Sequence, residues 1–144
     1  MEIRFIFVIK EPASQLNELK LKYNFDERNG LNFVMLGEHW SEIDDENRLI
    51  HQIERSLNIN LSLIDYWNPK VCDNELEIND IQKVLEDLKK RIEENSTFYE
   101  NISYGFNLKE RYLKNQFLSD INFLIERIEM NMNNGAKRLK YETE

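Results

Sequence analysis

Apolar positions along this chain recur with two periods, and the changes of period mark out its elements. At the start, residues 2–10 (EIRFIFVIK) set Ile3, Phe5, Phe7 and Ile9 on one face and Ile6 and Val8 on the other. Alternation with both faces apolar predicts an interior strand, and Pro12 closes it because proline cannot donate to a ladder. Leu16, Leu19 and Tyr23 fit a short helix, while Leu19, Leu21, Tyr23 and Phe25 fit a strand. The reading adopted is a helical turn or two over 13–18 that passes into strand near Leu19. Asn29-Gly30 tolerates the two positive φ angles of a type I′ turn, which predicts a hairpin pairing Phe25 with Val34 and Tyr23 with Leu36.

Beyond Gly37 the period lengthens. Ser41 followed by Asp44 predicts a helix start, which the acidic run can delay to Asp44 or Asp45, and Ile43, Leu49, Ile50, Ile53 and Leu57 carry an amphipathic face to about Asn58. Ile59, Leu61 and Leu63 alternate with Asn60 and Ser62, predicting a strand that runs to about Tyr66 and ends at Pro69, with a short extended piece at Leu76 and Ile78. Asn79 with Gln82 has the spacing of a capping box, and Ile81, Leu85, Leu88 and Ile92 follow with Val84 alongside. Glu86–Lys90 and Asp87–Arg91 are favourable pairs on the outer face of that helix.

The longest helical pattern spans 107–135. Leu118, Ile121, Ile125, Ile128 and Met132 step by three and four, and Leu113, Phe117 and Leu124 widen the same face. Asn107 with Glu110 opens it as a capping box, and Asn133-Asn134-Gly135 supplies a left-handed stop. A face so wide needs two covers, here the helix at 79–95 and a sheet built on 2–10. The stretch 136–144 reads as a charged tail or, through Leu139 and Tyr141, a short edge strand. Together these elements predict one α+β domain over 1–135: a mostly antiparallel sheet of about four strands packed against helices, with a C-terminal helical hairpin.

Composition narrows the function more than the fold. A chain of 144 residues has room for one sizeable core, and 41% hydrophobic residues place it among folded proteins. The formal net charge of −8 repels phosphate backbones, so nucleic acid is not an expected partner; the acidic balance suits solubility first and also suits a basic protein partner. Cys72 is the sole cysteine, which excludes an internal disulfide and fits a reducing compartment. No apolar stretch is long enough to span a bilayer, and the expectation is a cytoplasmic protein, monomer or homodimer.

Candidate chemistry concentrates in one stretch. Glu38, His39 and Trp40 lead into Glu42, Asp44, Asp45 and Glu46, where carboxylates beside a histidine suit a divalent metal or acid–base work. The same carboxylates also suit the positive end of a helix dipole, and no HExxH, EF-hand, P-loop or GxSxG pattern accompanies them. Tyr66 and Trp67 at a strand end are aromatic anchors of the kind that seat a protein partner or close a core. The reading is therefore a non-enzymatic binding protein with a contact surface drawn from these residues and no cofactor. One alternative is a small enzyme or ligand-binding domain with a pocket from Glu38, His39, Asp44 and His51; another is an oligomeric structural adaptor.

The capped segment DIQKVLEDLKKRIEEN, a tyrosine-bearing connection and the long helix FLSDINFLIERIEMNMNNG resemble small immunity-type proteins of bacterial toxin systems. The resemblance covers about the last third of the chain and is one of pattern, with no signature residue and no residue role attached. It implies a compact acidic cytosolic protein that binds and blocks a toxin domain.

Overall fold

The computed structural model describes residues 3–9, 16–20, 30–37, 45–103 and 107–143. Strand β1 (Ile3–Ile9) pairs antiparallel with β2 (Leu16–Lys20) on one side and with the last strand, β4 (Ala136–Thr143), on the other. Between them in sequence lie α1 (Gly30–Met35), α2 (Leu49–Leu57), the two-residue β3 (Leu76–Glu77), α3 (Ile78–Glu94), α4 (Asn107–Asn115) and α5 (Phe117–Asn133). The small sheet has the order β2-β1-β4-β3, and its β1–β4 ladder carries a bulge between Val8 and Ile9.

The expected fold class is overturned in its balance. The chain is α+β in the broad sense, but its described residues are mostly helical, and a four-stranded sheet is not the body of the fold. Two segments assigned to that sheet are helical instead. At 31–36 the hairpin arm is replaced by α1, because Leu31, Val34 and Met35 have helical spacing and all three are buried. Gly30 opens α1 with Tyr112 packed so tightly over its Cα that a Cβ would fall inside the ring. At 59–66 the expected strand is a 3-10 turn, Ser62–Ile64, with Leu61 and Ile64 buried three residues apart. Side chains meet that backbone in place of a ladder: Leu61 N donates to Glu54 Oε2 and Ser62 N to Asn60 Oδ1. Conversely, β2 begins at Leu16, where a helical turn was expected.

Helix boundaries shift as well. The expected helix start at Ser41 or Asp44 lies outside the described residues; at the alternative start, Asp45, the chain forms a 3-10 turn (Asp45–Asn47), and α2 begins at Leu49 because Arg48 holds an extended ψ of 146° and caps it. Helix α3 starts one residue before the expected capping box, with Glu77 as its cap and no side-chain capping bond. The expected single helix over 107–135 is broken at Gln116, whose φ of −124° separates α4 from α5. Tyr112 Oη donates to Asp120 Oδ2 across this break at 2.6 Å, and Gln116 Nε2 donates to Asp120 Oδ1. The stop at Gly135 is as expected, with φ +96°.

Helix α5 is the spine. Phe117, Ile121, Leu124, Ile125 and Ile128 are buried, and Leu118 and Met132 pack at the margin. Its covers are α3, presenting Ile81, Leu85, Leu88 and Ile92, together with α1 and β4. Leu139 and Tyr141 bring β4 into the same core with no exposed area. Among the described residues no helix is long and apolar enough to cross a membrane.

Tyr141 makes one consequence measurable. Its hydroxyl donates to Leu63 O at 3.0 Å, joining β4 to the 3-10 turn, and burial pushes its pKa above the ordinary phenol range. The unfolded chain ionises this phenol at pH of about 10, whereas the folded chain keeps it neutral. Its contribution is therefore complete below that pH and is lost as pH rises through and beyond it. Urea midpoints are expected to fall on alkaline titration, and Tyr141→Phe, about 1 kcal/mol less stable near neutrality, should show a shallower decline. A parallel decline in both proteins would assign the effect to other groups.

Candidate functional site

The loop after the 3-10 turn Ser62–Ile64 carries the most exposed described tryptophan on a rigid base. Asp65 is the one buried charged residue among those described, at 6% exposure. Both its carboxylate oxygens accept from the Arg48 guanidinium, at 3.0 and 2.8 Å. Oδ1 also accepts from Trp67 N at 3.1 Å, closing an Asx turn. Tyr66 N donates to Met35 O, and the indole Nε1 of Trp67 donates to Leu36 O, so the loop is fixed to the end of α1 at two successive carbonyls.

Asn68 continues the wiring. Its Nδ2 donates to Ser62 O, its Oδ1 accepts from Lys70 N, and its carbonyl receives Val71 N and Cys72 N. Tyr66 is buried and meets Trp67 edge to face with ring centroids 5.3 Å apart, while Trp67 remains 46% exposed. The pair expected from sequence thus divides its roles: Tyr66 closes the core and Trp67 presents an aromatic surface.

Of the other expected residues, those that are described do not join it. Glu38, His39, Trp40, Glu42 and Asp44 lie outside the described residues. Asp45 and Glu46 belong to the 3-10 turn before α2, where Glu46 is exposed and its carbonyl accepts from Arg55 Nη1. His51 Nδ1 lies 2.6 Å from Glu54 Oε1 on the same helix, whose other oxygen is held by Leu61 N. Among the described residues no group of three or more His, Cys, Asp or Glu is placed to hold a metal ion. Cys72 is half-buried, with Sγ 3.8 Å from Asp73 Oδ2.

Arg48 and Asp65 were not singled out from sequence, although one signal was present. Asp65 ends an apolar run, Leu61 to Ile64, and a carboxylate buried there requires a cationic partner. Which cation supplies it, seventeen positions away, has no local signature. No protein-family model, curated protein or solved structure matches the chain.

Proposed function

We propose that this chain is a non-enzymatic binding protein, of the immunity or antitoxin-inhibitor type, whose contact with a basic protein partner is centred on Trp67. The observation that carries this reading is a large aromatic side chain left 46% exposed while its backbone and indole N–H are both tied down. An anchor already held in one position loses little conformational entropy on binding, and tryptophan is enriched at the energetic centre of interfaces. A formal charge of −8, with Asp73 and Glu75 exposed further along the chain, favours a basic partner. The described acids nearest to chemistry are already engaged structurally: Asp65 by Arg48, Glu54 by His51 and Leu61 N, and Asp120 by Tyr112 and Gln116.

The test is reconstitution. A partner captured from the native host at low and moderate salt is identified, purified and titrated against wild type and Trp67→Ala. Loss of about 2 kcal/mol or more, roughly a thirtyfold or greater fall in affinity, is expected with the fold intact by circular dichroism. Unchanged affinity in the variant, or turnover of a small molecule by the purified chain, would overturn the reading.

A further inference from the structure

A second feature lies further along α2. The polar faces of α2 and of the 3-10 turn Phe98–Asn101 flank an open surface cleft of about 280 Å³ lined by Gln52, Arg55, Ser56 and Asn101, with Arg55 and Asn101 exposed. Its walls are stapled. Ser56 Oγ donates to Phe98 O at 2.7 Å, and Ser103 N donates to Gln52 Oε1 at 2.8 Å, so both ends of the turn are held against the helix. Gln52 Nε2 donates back to Asn47 O, so that amide is engaged through both its oxygen and its nitrogen.

Arg55 is different. It stands in the last turn of α2, where a cation would ordinarily serve the helix's terminal carbonyls, but those of Leu57 and Asn58 are taken by Arg91 from α3. Arg55 instead reaches toward the start of the helix, where Nη1 donates to Glu46 O at 2.6 Å. Among the described residues no carboxylate pairs with the exposed Arg55 and none meets its Nε–Nη2 edge, in a chain of net charge −8. That edge is the planar fork that fits a carboxylate with two parallel hydrogen bonds. Asn101 also lines the cleft; its amide has no partner among the described residues and offers an acceptor oxygen and two N–H donors.

We infer that this cleft binds a small monocarboxylate carrying an adjacent hydroxyl or amide group, with the carboxylate on Arg55 and the neighbouring group on Asn101. One guanidinium balances one negative charge. A phosphate dianion in the same place would leave uncompensated charge within an already acidic protein. A polar lining selects a hydrophilic ligand, because an apolar one would strip water from donors without replacing it. The assignment is independent of the Trp67 surface.

The test is a titration of the full chain, labelled with nitrogen-15, against acetate, glycolate, N-acetylglycine and orthophosphate at constant ionic strength and near-neutral pH. Glycolate or N-acetylglycine should give saturable shifts at Ser103 N–H, Arg55 Nε–H and the Asn101 amide, with several-fold tighter binding than acetate. Arg55→Gln should weaken binding at least about tenfold while the rest of the spectrum is retained, because a charge-assisted pair is lost. Asn101→Ala should remove the preference over acetate and keep the carboxylate contact. The assignment is overturned if no carboxylate gives a saturable shift in the millimolar range. Tighter binding of orthophosphate, or wild-type affinity in Arg55→Gln, would overturn it equally.

Discussion

Replacing Asp65 by alanine is expected to destabilise the fold by about 3–5 kcal/mol, the range for breaking a buried ion pair from one side. The side chains of Arg48 and Asp65 are only 11% and 9% exposed, so water does little to screen the pair or to replace the lost carboxylate. The substitution takes the carboxylate from Arg48 and the acceptor from Trp67 N together. Asp65→Asn separates these losses, since the amide oxygen still closes the turn onto Trp67 N while the charge is gone. It should therefore fall between wild type and Asp65→Ala. The double variant Arg48→Met/Asp65→Leu should recover most of the loss, because a buried pair replaced by apolar side chains is often near neutral. Urea unfolding of the single and double variants gives the coupling directly. If each single change moved stability by less than about 1 kcal/mol, the pair would be no stronger than a surface bridge, and the rigid base assigned to Trp67 would lose its main support.

That pair also shows where reading from sequence stops. The faces of α3 and α5 were legible because seventeen-residue helices repeat their period several times, and Ile81, Leu85, Leu88, Ile121, Leu124 and Ile128 are buried as their spacing implies. Gly135 was legible because few other residues tolerate its φ. Residues 31–36 were not: six positions fit either period, and the burial that favours the helix, of Leu31, Val34 and Met35 with Tyr112 packed on Gly30, comes from far along the chain. At 59–66 the alternation was present, but Glu54 and Asn60 satisfy the backbone there, and a strand lost to side-chain bonding leaves no mark in hydrophobicity. The break at Gln116 carries neither proline nor glycine. The pairing of β1 with β4 joins opposite ends of the chain, which no local pattern specifies. At the candidate site Trp67 was visible as an aromatic beside Pro69, whereas Leu36 O, Arg48 and the Arg55–Asn101 cleft arise only from tertiary placement.

Phe117→Ala is the other substitution expected to cost about 3–5 kcal/mol, as is usual for removing a buried aromatic ring without room to collapse. Phe117 is fully buried at the first position of α5, immediately after the break at Gln116. Its ring lies 5.9 Å from that of Tyr112 and 6.2 Å from that of Phe98, so it ties together α4, α5 and the 3-10 turn Phe98–Asn101. By contrast Phe123 on the same helix is 38% exposed, and Phe123→Ala should change stability by about 1 kcal/mol or less. Phe117→Leu should recover most of the loss, since it refills the greater part of the cavity. The effect should also be directional. The turn is bonded internally by Glu100 N to Thr97 O and Ile102 N to Tyr99 O, and with Phe98 released from Phe117 it is held to α2 through the Ser56 and Gln52 side chains. Hydrogen exchange at Glu100 and Ile102 should therefore accelerate beyond the global change in stability, while amides in the middle of α3 exchange in step with it. Uniform acceleration would show that Phe117 supports the core as a whole, with no special hold on the wall that carries Asn101.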